Sequence, residues 1–570
     1  MASRPHRGFG SLGCQPGVIG PKPTVRYNRA RTAPRFADWH MVRPLTFWAF
    51  LGFPAALFLA AMSVSAQISA PEPDPLARMR RAAAANSQAC SESELSACAQ
   101  AAPKIIANAM GPSPLAENLR RLTDEIGGRL TGSPAMAKAV EWAVAAFRDA
   151  GIDDVHTEKF TIPHTWSEGA THVEMLSGPG FAVHAVSVAW SPATPGSGID
   201  ADLVDAGAGA PEDFARIGVT ARGAILLVHT DVLRTFDDLF AEYLRNPGII
   251  ARATSAGASA ILWMGTREGL LLYRHLTGLG QDGSIEKLPQ AIVAREDAQR
   301  LARDLGAGKR IRVRLELPNR IGGPAEEQNV VAEIRGRDLP NDFVVLGAHL
   351  DSFELGTGAL DNGCNAALVI EAARDIHFTG LLPKRSIRFV LFSGEEEGML
   401  GSWAYVRTHH DELDHTNAAI IFDEGSGRVT GFSLGGRRDL QPEVLHQALA
   451  PVNSWSVSRL TNDAILGTDN LDFLLEGVPN LVANQEEANY VANYHASSDT
   501  YDKVDILNLK LNTAVAGVVA FSLAEFATPL GPRLSRPQID KLLKDTGLDG
   551  QLKTLEVWPY WEAGRRGRQP

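Results

Sequence analysis

The sequence predicts an α/β fold: a central mixed, mainly parallel sheet flanked by helices and interrupted by an inserted β-rich region. Three observations predict it. After Asn329, apolar strand-like runs alternate with helical stretches, the pattern of parallel strands covered by helices. Between about residues 170 and 325 this gives way to short apolar runs separated by Gly- and Pro-rich turns. The chain has 570 residues, 45% hydrophobic and 21% charged, a globular composition with length for more than one domain.

Charge divides the chain before any element does. Residues 1–66 hold eight basic residues and one acid, Asp38; the rest carries 47 basic and 65 acidic residues, net −18 against −11 for the whole. An acidic body excludes nucleic-acid binding, because neutralising phosphates needs a basic surface. Pro44 to Pro71 is free of charge, and within it Leu45 to Met62 is an apolar run of 18 residues behind Met41-Val42-Arg43. Val64-Ser65-Ala66 suits signal-peptidase cleavage, so residues 1–66 read as a leader and the mature chain as periplasmic or secreted. The alternative is a membrane anchor through residues 45–62. Residues 1–40, rich in Arg, Pro and Gly, are explained if translation starts at Met41. Cys14 falls in this leader. Cys90 and Cys98 lie in a polar stretch and are candidates for a small disulfide in an oxidising compartment, with two unpaired thiols as the alternative.

Residues 67–112 read as a linker and one lead-in helix. Leu115, Leu119, Leu122 and Ile126 have helical spacing, which Gly127-Gly128 ends. Thr131-Gly132-Ser133-Pro134 starts a helix over Ala137–Ala150, stopped by Gly151, and Val155–Ile162 is strand-like. Residues 171–325 form the insert, with apolar runs Val183–Val188, Ala224–Val228, Ala260–Trp263 and Ile311–Leu317 and one helical stretch near Ile249–Ala256. Residues 113–170 and 326–530 form the main domain. Its second part has strands at Val330–Ile334, Phe343–Ala348, Ile387–Phe392 and Ala418–Phe422. Helices are expected at Cys364–Ile376, Leu400–Thr408 and Val504–Phe526. Residues 531–570 are a C-terminal extension.

In such sheets, sites form just beyond the carboxyl ends of strands. The polar residues there are His349-Leu350-Asp351, Asp361 before a helix, Glu395-Glu396-Glu397, Asp423-Glu424 and Tyr494-His495. Each has an ordinary explanation taken singly: a surface ion pair, an N-cap, a solvated acidic turn. Their joint occurrence after successive strands is different, because carboxylates crowded on one edge repel each other unless a cation sits among them. Two imidazoles and three carboxylates suit a pair of zinc ions, one carboxylate bridging ions about 3.5–4 Å apart. The adjacent Glu395 and Glu396 suit a division into general base and ligand. Asp351 is placed to accept the other N–H of His349 and fix its tautomer.

These motifs resemble the co-catalytic zinc exopeptidases that include the bacterial leucyl aminopeptidases, and within them a carboxypeptidase Q-like branch. The resemblance covers roughly Leu115 to Thr528, including Ile126–Ser133 and Ile162-Pro163-His164-Thr165-Trp166. Its implied fold is the phosphorylase/hydrolase-like sheet of that family. The insert, with Arg222–Leu227 and Ala256–Ile261, resembles the family's protease-associated domain. Carried over by position, the family implies two Zn2+ per chain. Asp361 would bridge them, His349 and Asp423 would complete one site, and Glu396 and His495 the other. Glu395 would be the general base toward a metal-bridging hydroxide. The implied substrates are dipeptides or short peptides with a free N-terminus, and the implied assembly is a homodimer. Asn362 stands where the branch has a second Asp, and Cys364 where it has Gly. Cys364 reads as a small packing residue. Asp469 and Asn470 lie in a segment, Gly467–Phe473, that resembles a substrate-side loop and receives no role. Two other readings compete: a non-catalytic binding protein on the same fold, and a single-zinc glutaminyl-cyclase-like acyltransferase.

Overall fold

The computed structural model describes residues 91–569 except 178–179 and 275–277. The leader with its cleavage after Ala66, the anchor alternative, the linker, Cys14 and Cys90 lie outside the described residues.

Strands β1 (Asp154–Ile162), β2 (Trp166–Ser167), β3 (His172–Met175), β4 (Ala185–Ser187), β5 (Ile199–Asp205), β6 (Ile225–Val228), β7 (Ala260–Met264), β8 (Gln290–Val293) and β9 (Arg312–Glu316) come first. They are followed by β10 (Arg320–Ile321), β11 (Ala325–Ile334), β12 (Leu339–His349), β13 (Arg385–Phe392), β14 (Thr416–Ile421), β15 (Val429–Ser433), β16 (Arg459–Thr461) and β17 (Asn480–Gln485). Among the helices are α1 (Glu92–Met110), α2 (Pro134–Asp149), α3 (Phe236–Ala256), α4 (Cys364–His377), α5 (Leu400–Thr408), α6 (Asn470–Leu475), α7 (Ile506–Glu525) and α8 (Trp558–Glu562).

The larger sheet has eight strands in the order β1-β11-β13-β12-β14-β17-β15-β16. Its centre, β13-β12-β14-β17, is parallel, and β1, β11 and β15 join antiparallel. The central strands are apolar on both faces because helices cover both. Phe343 to Ala348 of β12 is buried at every position, which rules out an exposed face. On one side α7 packs against α1 and α4. The α7 helix starts on the Asp505 side chain, which accepts the amide N–H of Leu507 and Asn508, and it is apolar all round, as a helix enclosed by others must be. Among the described residues it alone is long and apolar enough to cross a membrane, and most of it is buried here. Helix α2 begins with Ser133 capping the Met136 amide and Pro134 in its first turn, and it buries Met136, Val140, Ala143 and Phe147 at helical spacing.

The second sheet has seven strands in the order β3-β9-β5-β6-β7-β8-β4. This region is less purely β than its apolar runs suggested. Its central strands β5 to β8 are parallel, and α3 runs for 21 residues rather than over Ile249–Ala256 alone. The sequence hides the first half of α3 behind Pro247-Gly248, yet Thr235 and Asp238 form a capping box that marks its start.

Cys98 belongs to the candidate disulfide whose other half, Cys90, lies outside the described residues. It is buried in α1 within the main core and, among the described residues, is a free thiol. Burial pushes it up to about 12, against a hydrogen bond with Ser522, so it behaves as a small apolar side chain.

Candidate metal centre

The parallel strands deliver the candidate residues to one edge. His349 ends β12, Asp423 lies two residues past β14, Glu395 and Glu396 follow β13, and His495 lies in the loop beyond β17. Asp361 occupies the turn into α4.

Two groups of ligand-type atoms result: His349, Asp361 and Asp423, and Asp361, Glu396 and His495. In the first, His349 Nε2 is 3.0 Å from Asp423 Oδ1 and 3.3 Å from Asp361 Oδ1. In the second, His495 Nε2 is 2.9 Å from Glu396 Oε2 and 3.0 Å from Asp361 Oδ2. Asp361 thus turns one oxygen to each group. All five side chains are almost wholly buried. Glu396 Oε1 is buried with no hydrogen-bond partner. Buried carboxylates in excess of their imidazole partners, one with an orphaned oxygen, are what a divalent cation would satisfy, and mixed N/O donors suit zinc.

The electrostatics follow from the crowding. Burial raises the Glu395 carboxyl well above the usual range; His349 opposes this, and Asp423, Glu396 and Asp469 add to it. Burial likewise takes Glu396 to about 7, with His495 pulling down and Asp361 pushing up. Burial disfavours a charged His349, but Asp423, Asp351 and Asp361 outweigh it and hold the imidazole well above its ordinary value. Burial would also raise Asp361, yet the two imidazoles hold it well below.

Asp351 faces the His349 ring through both its carbonyl and its carboxylate. His349 Nδ1 is 3.1 Å from the main-chain carbonyl of Asp351 and 3.5 Å from the carboxylate, so the carbonyl is the nearer acceptor. The carboxylate also accepts the amide N–H of Glu395 at 3.3 Å and of Glu396 at 3.2 Å, and the Thr131 hydroxyl at 3.0 Å. It therefore holds the turn that carries the candidate base and ligand.

Two positioning groups went unread in the sequence. Asp499 accepts the N–H groups of Ala359, Leu360 and Asp361 at 3.1, 2.7 and 3.1 Å and so fixes the shared residue. Arg129, fully buried, donates to Leu350 O, to Thr357 O at 2.9 Å and to Gly358 O at 2.9 Å, pinning the loop after His349. Arg129 sits inside the quoted segment Ile126–Ser133, and Asp499 lies four residues after His495; their partners are remote in sequence, so only position in a motif could have flagged them.

The departures from the family pattern have local uses. Asn362 Nδ2 donates to Phe422 O at 2.9 Å, which a carboxylate could not do. Cys364 is buried at the start of α4 and its Sγ–H points to Leu360 O at 3.4 Å, outside both groups. Asn470 donates to Ile465 O and to Asn480 Oδ1, bracing its own loop. Asp469 is buried; burial raises its carboxyl well above the ordinary range, against His349 and Ser402.

The region of the second sheet reaches this edge. The Arg274 amide donates to His495 O at 2.8 Å, Tyr273 bridges to Ala496, and the Tyr243 hydroxyl of α3 lies 3.0 Å from that of Tyr494. Tyr494 stacks on the His495 ring, centroids 3.6 Å apart.

An α/β sheet with paired His/carboxylate groups at its carboxyl edge is the architecture of a metallopeptidase class, and comparison agrees. Residues 329–520 match the model of peptidase family M28. The chain is 29% identical over 414 residues to carboxypeptidase Q of Mus musculus, covering 72% of this chain and 85% of that one. It is similar to the solved structure of a peptidase M28 precursor from Shewanella amazonensis SB2B, with TM-score 0.69, 27% identity and coverage of 76% of this chain and 98% of that one. It shares its fold with BSAP, a zinc aminopeptidase from Bacillus subtilis, with TM-score 0.57, 21% identity and coverage of 72% and 94%. The resemblance to the co-catalytic zinc exopeptidases, and the mixed α/β fold expected from it, are borne out.

Proposed function

We propose that the chain is an exported zinc exopeptidase with two ions per chain, hydrolysing the peptide bond of dipeptides or short peptides with a free N-terminus. The observation that carries this reading is Asp361, whose two oxygens face two ligand groups, with Glu395 adjoining but outside both. His349 and Asp423 would hold one zinc, Glu396 and His495 the other, with Asp361 common to both. Zinc held there supplies Lewis acidity toward a peptide carbonyl and toward water. Glu395 takes the proton of the attacking water and returns it to the leaving amine nitrogen. Asp351 keeps Glu395 in reach by gripping its amide and that of Glu396. The substrate class is supported by the names of the similar proteins, a carboxypeptidase Q and a zinc aminopeptidase. Export is supported by the apolar run Leu45–Met62 and the small residues that follow it. A homodimer without stable membrane span or nucleic-acid partner completes the reading.

The test is a dipeptide panel, N-terminally free and blocked, with and without chelator. Cleavage of free dipeptides only, lost on zinc removal and regained on its return, is expected. Glu395→Gln keeps its zinc and loses about 10²- to 10⁴-fold in kcat, the share of a general base. Near-wild-type turnover in that variant removes Glu395 from the mechanism. Cleavage that survives thorough zinc removal removes the metal.

A further inference from the structure

The C-terminal extension carries one side chain into the interior next to the candidate site. Arg566 is buried, and its guanidinium pairs with the fully buried Asp472 of α6 through Nε–Oδ1 and Nη2–Oδ2 contacts of 2.8 Å each. The same group donates to Gln281 Oε1 at 2.9 Å and to the carbonyl of Gly398 at 3.1 Å. Its backbone is itself anchored, because Gly567 packs against Leu475 and Trp561 and the Arg568 amide donates to Leu475 O at 2.9 Å.

The Gly398 contact gives this cluster its significance. Gly398 closes the turn that begins at Glu395: its N–H donates to Glu395 O at 2.8 Å. Asp351 grips the opening of that turn at the Glu395 and Glu396 amides, and Arg566 grips its end. Gly398 has φ of +107°, and a Cβ there would come within 2.5 Å of Gln281 Nε2, so the turn fits closely against the residue that Arg566 also holds. A forked guanidinium with several acceptors fixes geometry as a lysine cannot.

We propose that Arg566 is a positioning residue for the Glu395–Gly398 turn, so that the C-terminal extension sets the placement of the base and of one metal ligand. The proposal rests on the roles given to Glu395 and Glu396 above. It is tested on the full chain by zinc content, kcat and KM, and thermal unfolding. Arg566→Ala lowers zinc content from two toward one, because Glu396 rides on the turn, and lowers kcat about 10- to 100-fold with KM little changed, as loss of an outer-shell partner does. Arg566→Lys recovers part of both, and added guanidinium restores part of the Ala variant's kcat. Because the Ala variant leaves Asp472 buried and unpaired, a double variant, Asp472→Leu with Arg566→Met, separates positioning from folding. It should fold and still show the zinc and kcat losses. A folded double variant with two zinc ions and wild-type kcat overturns the proposal. Failure of both variants to fold also overturns it, by assigning the pair to holding the fold together. Wild-type protein inactive on every dipeptide would instead reject the functional reading, while the zinc contents of the variants would still report on Arg566.

Discussion

The two ligand groups share Asp361 but are built differently. His349 and Asp423 stand at or just past the ends of neighbouring parallel strands, β12 and β14, paired from Val344–Ala418 to Gly347–Ile421. The ladder that forms the sheet also places these candidate ligands. Glu396 and His495 sit on loops. Their placement comes from elsewhere: the Asp351 carboxylate, the Arg274 amide, the Tyr273–Ala496 bridge, and in our proposal Arg566. Strand ends inherit the rigidity of the sheet, whereas loop-borne ligands need bracing from outside it. The inserted region, and in our proposal the C-terminal extension, therefore bear on one half of the candidate site more than on the other.

Experiments can break this contrast, beginning where both halves meet. Asp361→Ala should bring zinc content close to zero and lower kcat about 10³-fold or more, the several kcal/mol that metal ions contribute to such a transition state. Retention of the two proposed ions would show that the groups do not depend on a shared carboxylate. Asp499→Asn is the next largest. It keeps one acceptor but turns an amide N–H toward that of Asp361, and metal affinity or kcat should fall about 10- to 100-fold. In a chelator titration the second ion should be lost first, because Asp499 lies in the same loop as His495; simultaneous loss of both would erase the distinction. The smallest effect lies at the far end of α4, where Asp375 and Glu371 are buried together with Arg374 and Lys510 nearby. Burial takes Asp375 to about 8, Glu371 adds to this, and Arg374 opposes it. A carboxyl raised in the folded state favours folding at low pH, and that contribution is lost as pH rises from about 4 through 8. Asp375→Asn should therefore gain stability relative to wild type over that range, on the order of 1–3 kcal/mol, with zinc content and kcat unchanged. A flat difference in unfolding free energy between pH 5 and 9 would contradict it.

Much of the main sheet was legible because buried parallel strands are written as continuous apolar runs. Val330–Ile334, Phe343–Ala348, Ile387–Phe392 and Ala418–Phe422 all lie on observed strands, Phe422 just beyond the end of β14. The second sheet was read only in outline: β3, β5 and β8 are short, or carry polar residues, and their partners are far away in sequence. The candidate ligands were legible from their positions after those strands. The groups that hold them were not. Arg129 reaches carbonyls more than 200 residues away, and Arg566 reaches Gln281 from 285 residues away, so no local pattern encodes either contact.

By itself the sequence determined the kind of atoms at the site and their order along the chain, since strand periodicity and residue chemistry are local properties. Tertiary structure alone decided that Asp361 faces both groups, that the Asp351 carboxylate serves the Glu395–Glu396 amides as well as lying beside the His349 ring, and that Cys98 is buried in the core. Each of those outcomes depends on ångström distances between segments joined only by packing, and sequence spacing holds no record of them.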